Sequence, residues 1–549
     1  MHTRFHRSQI PILLLLCVWS FHCGTSDQAS NDTVTTDTTD STSLDVEDAS
    51  LDVEDAGQDV EDTSSNDGTT TLDLGTTDGS ETSDNGPAPG DTTTPDVPVG
   101  EDTLPPLPNP MYTLGDGCAI PTDYITPECL VTSCVGGHIC MGAGHCVPDS
   151  AFLLVPDDPN ASQIKPSLAL GPNGGFAAAW YSVTHPPGGG TNTMDIHFQR
   201  FAADGAPLGQ PIKLDQDALI WARSPTITRM QNNGYLVAWR AQDGGNGELR
   251  YMARVISHDG QPIGDAFQLN ETPLTTGFTT GNVDSPFPTL LRSGKIAVTW
   301  MGYAGMPSQN QDVFLRLLSA EGQPETGELL TGAATSANEV SSVVTDTSNG
   351  GVAIFWQHID NGADIREIRG RIFNANAQPA GVVFTASPGT EPEEWAPAAT
   401  TFPGGNILLT WKARETPNTS GPNDIKSTLL GPNGQDIGSP VHQVGHDPAG
   451  NYPFYAPTDE NDPFRAAVIW HSVGSNANAV YLRRYYHADD VYDCDITDLS
   501  GAFLENETGA RHLPAVLAFP DGRVLAVWST GIENESGNSV TRAVLRYVK

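Results

Sequence analysis

Through its last two thirds the chain repeats one pattern of apolar and polar positions. A short unbroken apolar run ends in tryptophan seven times: Phe176 to Trp180, Tyr235 to Trp239, Ile296 to Trp300, Val352 to Trp356, Ile407 to Trp411, Ala466 to Trp470 and Val524 to Trp528. Runs this short, bounded by turn residues, predict strands buried on both faces. Ahead of most of them stands a cluster of Gly, Asn or Asp, such as Asn173-Gly174-Gly175, Asn232-Asn233-Gly234 or Asp521-Gly522. These residues accept the positive φ of tight turns, so a further strand must precede each one. After each Trp comes a polar loop and then an alternating stretch, as in Asp195 to Phe201, Leu249 to Val255 and Ala479 to Tyr485. Alternation predicts a strand wet on one side. A second turn (Asp204-Gly205, Asp259-Gly260, Glu321-Gly322, Asn433-Gly434) leads to a short fourth strand, such as Pro211 to Leu214 or Phe267 to Leu269.

The tryptophans recur about every 58 residues, a period that marks a repeat architecture. A proline stands fourteen residues before Trp at Pro166, Pro225, Pro286, Pro397 and Pro514, and thirteen before it at Pro457; only the fourth repeat departs, with Ser342. Four-stranded antiparallel units around an axis are the blades of a β-propeller. The expected fold is therefore all-β, a seven-bladed propeller over residues 150–549. The seventh unit ends at Lys549 without a fourth strand, while Phe152 to Val155 has no unit of its own. Pairing between the two would close the ring and leave no open sheet edge.

Three segments precede the repeats. Residues 1–22 combine Arg4 and Arg7 with the apolar run Ile10 to Val18, the form of a secretory signal and too short to span a bilayer. Cys23, followed by Gly24 and a hydrophilic tether, resembles the lipid-bearing first residue of bacterial lipoproteins; the resemblance implies cleavage before Cys23, acylation, and sorting to the outer membrane or cell surface of a Gram-negative cell. A secreted form is the alternative. Residues 23–110 hold Ser, Thr, Asp, Glu, Gly and Pro with few large apolar side chains, and no Lys or Arg occurs between Arg7 and Lys165. Such a segment cannot offset its chain entropy and is expected to be a disordered acidic tether. Residues 111–149 form a small Cys-rich module. Its Cys118, Cys129, Cys134, Cys140 and Cys146 are odd in number, and Cys494 is the remaining candidate, so one disulfide is expected to tie the module to the sixth repeat.

The formal net charge is −40, more than half of it from the tether. That balance speaks for a stalk and against nucleic-acid binding. No nucleotide loop, serine-hydrolase elbow or Ca²⁺-loop pattern appears, and no metal or cofactor is called for. The residues that follow the seven tryptophans are Tyr181, Arg240, Met301, Gln357, Lys412, His471 and Ser529, which removes the Trp-Asp signature of WD40 blades. The pattern of proline, Gly turn, apolar run and Trp is similar to the repeats of exported bacterial proteins, a likeness that implies no activity.

Loops after the second and fourth strands of a blade emerge on one face, and here those loops are the long ones, so a binding site is expected there and around the central channel. Candidates on that face are Trp221, Phe278, Asp284, Glu393, Glu394, Trp395, Tyr452, Phe454 and Tyr455. Glu391, Glu393 and Glu394 beside Trp395, with Asp284 across the channel, have the carboxylates and aromatic platform of a glycosidase; an acidic solvated loop is the plainer reading. His442 and His446 have the four-residue spacing of a helical metal pair but fall on a strand, which sets them far apart. The resulting expectation is a monomeric, surface-displayed binder of a protein or polysaccharide, membrane-attached only through its lipid. A polysaccharide hydrolase or lyase in the channel is the alternative. The two separate on whether ionisable groups with strongly shifted pKa values gather at the channel mouth.

Overall fold

The computed structural model describes residues 113–114, 118–119 and, with interruptions in the loops, 134–548. The chain divides between Glu101 and Asp102, and every described residue belongs to the second unit. The signal, Cys23 and the tether lie outside the described residues, as do Cys129 and Cys494.

The described chain is almost entirely β-structure in a propeller arrangement; one 3-10 turn at Pro172–Gly174 is the sole helical element among the described residues. Six of the seven apolar runs ending in Trp become the second strand of an antiparallel meander; the sixth, in Arg465–Val473, has no strand paired ahead of it among the described residues. In the first repeat the strands are Ser162–Leu170, Phe176–Thr184, Thr193–Phe201 and Pro207–Lys213; in the second they are Ile220–Arg229, Tyr235–Asp243, Leu249–Ile256 and Pro262–Gln268. The seven tryptophans are all buried, none more than 2 % exposed. Each core is shared by two consecutive repeats: Trp239 packs with Ala177, Ile196 and Phe198 of the repeat before it, and Trp356 with Leu315 and Leu317. Burying a Trp ring removes roughly 150–250 Å² from water, on the order of 5 kcal/mol of favourable transfer at each seam.

Ring closure follows the same logic. Phe152 and Leu153 pair antiparallel with Leu545 and Val544, and the Leu154 amide donates to the Ala543 carbonyl at 3.0 Å. Trp180 and Phe176 then share a core with Leu517, Phe519, Leu525 and Leu545, so the first repeat packs on the last.

The strand pairing departs from seven separate four-stranded blades. Among the described residues it gives four four-stranded sheets, one of six strands, one of eight and one of two. The eight-stranded sheet arises because the meanders of repeats four and five touch through one parallel pair, Arg366 with Glu393. The six-stranded sheet arises because Cys118–Ala119 adds in parallel to Val491–Asp493 of repeat six, and Thr113–Leu114 adds to Cys118–Ala119.

The repeated proline also has a structural meaning that its spacing did not disclose. In repeats one, two, four, five and seven the pairing of first and second strands slips by a bulge, between Ile164/Ser167, Arg223/Thr226, Val340/Val343, Trp395/Ala398 and His512/Ala515. The first bulge residue takes a left-handed conformation at Lys165 (φ 52), Ser224 (φ 56), Ser341 (φ 55) and Ala396 (φ 53). Proline, or Ser342 in repeat four, is the second bulge residue, where a missing N–H costs no ladder hydrogen bond. Beyond the bulge, hydroxyls stitch neighbouring innermost strands together. Thr226 donates to the Pro286 carbonyl at 2.5 Å, Thr289 to that of Val344 at 3.0 Å and Thr401 to that of Asp346 at 2.6 Å.

In the Cys-rich module, strands His138–Met141 and His145–Pro148 form a hairpin beside a Cys134–Cys146 disulfide with Cα atoms 5.5 Å apart. Cys140 is disulfide-bonded as well. Val147 is fully buried in the core shared by the first and last repeats, and His145 Nε2 lies 3.6 Å from the Asp521 carboxylate.

Candidate functional site

A cavity of about 430 Å³ runs along the propeller axis. Its wall is made by the innermost strands of repeats one to five and seven, from Lys165 and Ser285 at one end to Met230 and Leu290 at the other. Because the innermost strand begins at the long-loop face and the second strand ends there, the bulge and the residue after each Trp meet at one mouth. The register pairs them directly: Ile164 with Tyr181, Arg223 with Arg240, Val340 with Gln357 and Trp395 with Lys412. Residues opposite one another in an antiparallel pair share a face of the sheet.

Among the described residues at the paired positions and the first place of each bulge, Lys165 is the one that lines the cavity. At the two paired positions and the bulge residue, the described residues include Lys165, Arg223, Arg240 and Lys412 and no carboxylate. Lys165 Nζ donates to Ser285 Oγ at 2.5 Å, and its backbone amide donates to Ser529 Oγ at 3.2 Å, so repeat three holds the side chain and repeat seven the backbone of this residue of repeat one. Burial pushes the Lys165 amine down to about 7, with the Arg223 and Arg240 guanidiniums adding to the effect. Arg240 is buried, and burial followed by the repulsion of Arg223 lowers it to about 10. Tyr181, half-buried beside them, is raised by burial against the opposing pull of Arg223, as is the fully buried Tyr251 against Arg240 and Arg223. Arg223 is thus the common neighbour of one amine, one guanidinium and two phenols.

The acidic trio lies elsewhere. Glu393 and Glu394 are buried at 2 % and 0 % exposure, in strand Glu393–Thr401 at the junction of repeats four and five. Glu393 pairs with Arg414 at 3.0 Å and Arg366 at 3.3 Å, and Glu391 with Lys426. Glu394 accepts a hydrogen bond from Ser387, and burial pushes its carboxyl up to about 7. The solvated acidic loop is corrected: alternate residues of a strand point to opposite faces, and here both faces meet protein. Trp395 does stand at the mouth, half-buried, with the Lys412 ammonium 5.4 Å and the Arg414 guanidinium 4.9 Å from its ring centre. Trp221, half-buried and two residues before Arg223, faces the same side and pairs with Gln242. Phe278, Asp284, Tyr452, Phe454 and Tyr455 lie outside the described residues. His442 and His446 fall in one strand, His442–Asp447, where His442 hydrogen-bonds Asp490 at 3.0 Å. No group of metal-ligating side chains occurs among the described residues.

No known family pattern matches the chain, and no curated protein is similar to it. Among solved structures it is similar to a protein of unknown function from Dyadobacter fermentans (9% identity, TM-score 0.43, covering 75% of this chain and 100% of the other). It is also similar to an α-L-arabinofuranosidase of Fusarium graminearum (9%, TM-score 0.41, 72% and 97%) and to an ulvan lyase (11%, TM-score 0.41, 70% and 93%).

Proposed function

We propose that the long-loop face binds an acidic polysaccharide, seating one anionic sugar over the channel mouth. The observation that carries this reading is the direct pairing of Arg223 with Arg240 in the ladder of repeat two, next to a cavity that Lys165 lines. Planar guanidiniums match carboxylate and sulfate oxygens, and Trp221, Trp395 and Tyr181 supply the flat apolar surfaces that a pyranose ring stacks on.

The wider setting belongs to the same proposal. Repeats four and five meet through a single pair and each seam joins two successive Trp units, which supports counting seven blades. Export, acylation at Cys23 and an acidic stalk would present the propeller to polymer outside an outer membrane.

Affinity electrophoresis of the full chain in gels containing acidic or neutral polysaccharide tests this reading. Retardation is expected with polyuronates, weakening with salt, and Arg223→Gln should weaken it about 10-fold or more, the worth of one charge-assisted contact. Retardation by neutral glucans alone, or an Arg223→Gln protein as strongly retarded as wild type, would reject it.

A further inference from the structure

We infer that the axial cavity is a binding site for a straight-chain carboxylate of medium length, its hydrocarbon lying along the propeller axis and its carboxylate held by Arg229. The cavity volume of about 430 Å³ falls within the roughly 300–1,000 Å³ of small-molecule pockets. In repeat one every residue from Lys165 to Leu170 lines it, which at about 3.3 Å per residue gives a passage on the order of 17 Å long. An elongated ligand suits that shape.

The wall is more hydrocarbon than a sheet edge would suggest. An innermost strand leaves carbonyls and amides unpaired on its channel side, and such groups ordinarily hold water. Here hydroxyls of the neighbouring strand take several of them. The Pro286 carbonyl accepts from Thr226 at 2.5 Å and the Val344 carbonyl from Thr289 at 3.0 Å, while the Ile227 amide donates to Ser167 at 3.3 Å. Thr226, Thr289 and Ser167 all line the cavity, so these hydroxyls are engaged by the backbone. Aliphatic side chains supply much of the rest, among them Leu168, Ile227, Val343, Ala399, Val516 and Leu517. Apolar cavities hold water poorly and take up hydrocarbon.

The two ends of the cavity differ. At the long-loop end the bond from Lys165 Nζ to Ser285 Oγ joins repeats one and three, which are not neighbours, so the side chain spans the end of the channel past Pro225 of repeat two. At the short-turn end stand Arg229 and Gln231. Gln231 is seated over the turn at Gly294, where any Cβ would come within 2.0 Å of its amide oxygen. Arg229 is half-buried and its guanidinium is hydrogen-bonded to Asn233; among the described residues no carboxylate forms an ion pair with it. One acceptor leaves most of its N–H donors for a ligand, and a carboxylate is the group whose paired oxygens match that fork. Entry past Arg229 sets this site at the opposite end from the sugar proposed above, and neither depends on the other.

The test is calorimetric titration of the full chain with hexanoate, octanoate, decanoate and decanol, each below its micellar concentration. Wild type should bind decanoate tightest of the acids, each added methylene tightening binding about 4-fold. Arg229→Gln should weaken decanoate about 10-fold and leave decanol as in wild type. Ala399→Phe adds a ring to the wall and should weaken acid and alcohol alike. A urea midpoint near that of wild type shows that this variant is folded; if it is not, the acid series and Arg229→Gln decide the question alone. No binding of any of these ligands, affinity that fails to rise from hexanoate to decanoate, or wild-type affinity for decanoate in Arg229→Gln or in a folded Ala399→Phe would each overturn the assignment. Retardation by acidic polysaccharide would be unaffected by any of these outcomes.

Discussion

Glu394 illustrates how a single carboxyl records its surroundings. One oxygen accepts from Ser387 and the other, Oε1, meets no hydrogen-bond donor among the described residues, inside a seam that already holds Glu367 and Glu391. Burial is the largest influence and raises the carboxyl to about 7, against an ordinary value of 4.5. A raised folded pKa means that the contribution to stability is fully present below the unfolded value and is lost as pH rises through the folded one. Glu394→Gln should therefore match wild type near pH 4.5 and exceed it above pH 7 by on the order of 2 kcal/mol. Urea unfolding of both proteins at the two pH values measures this; a variant less stable than wild type at pH 8 would show that the ionised carboxylate is wanted there. The same residue shows what local sequence hides. Three glutamates beside a tryptophan look solvated until Arg366, Arg414 and Lys426, tens of residues away, are folded against them. The basic mouth is hidden for the opposite reason. Lys165, Arg223 and Arg240 sit singly in three otherwise ordinary stretches, and only the ring brings them together. A signal did exist, since the position after each Trp varies where its neighbours repeat.

At the scale of the element, strands and turns were legible because their patterns are local. The Trp-ended runs, the Gly and Asn turns and the alternating third strands each announce themselves within a few residues, and the structure places strands on them. The bulge was visible only as its proline. Repeat four makes the same bulge without one: Ser341 has φ 55 and the register slips between Val340 and Val343 with Ser342 in the second place. Since Pro166, Pro225 and Pro397 occupy that place in sister repeats, Ser342→Pro should fit without strain. It should raise stability by about 0.5–1 kcal/mol by restricting the unfolded chain. A higher midpoint in denaturant with an unchanged slope is the expected result, whereas a lowered midpoint would mean that repeat four needs the serine hydroxyl or amide.

For the molecule as a whole, closure has two parts. Phe152 and Leu153 complete the last sheet, and the segment before them returns to the ring at a second place, where Cys118–Ala119 runs parallel to Tyr492–Asp493. That second contact gives the expected cross-link a specific partner. Cys118 pairs with Tyr492, two residues before Cys494 in the sequence, and we propose it as the module cysteine of that cross-link. Cys134 is bonded to Cys146 and Cys140 is also bonded, so a Cys118–Cys494 bond leaves Cys129 as the partner of Cys140 and accounts for all six. Such a bond would close nearly the whole propeller into one loop, worth on the order of 5 kcal/mol by chain entropy, and would fix the module without blocking the channel mouth. Trypsin cannot test it, because no Lys or Arg lies between Arg7 and Lys165. A protease cutting at acidic residues can, since Asp123 and Glu128 separate Cys118 from the other module cysteines. Under non-reducing conditions the Cys118 peptide should be recovered joined to the Cys494 peptide. Recovery of Cys494 as a free thiol, or of Cys118 joined to Cys129, would show that the module is held by packing and strand addition alone.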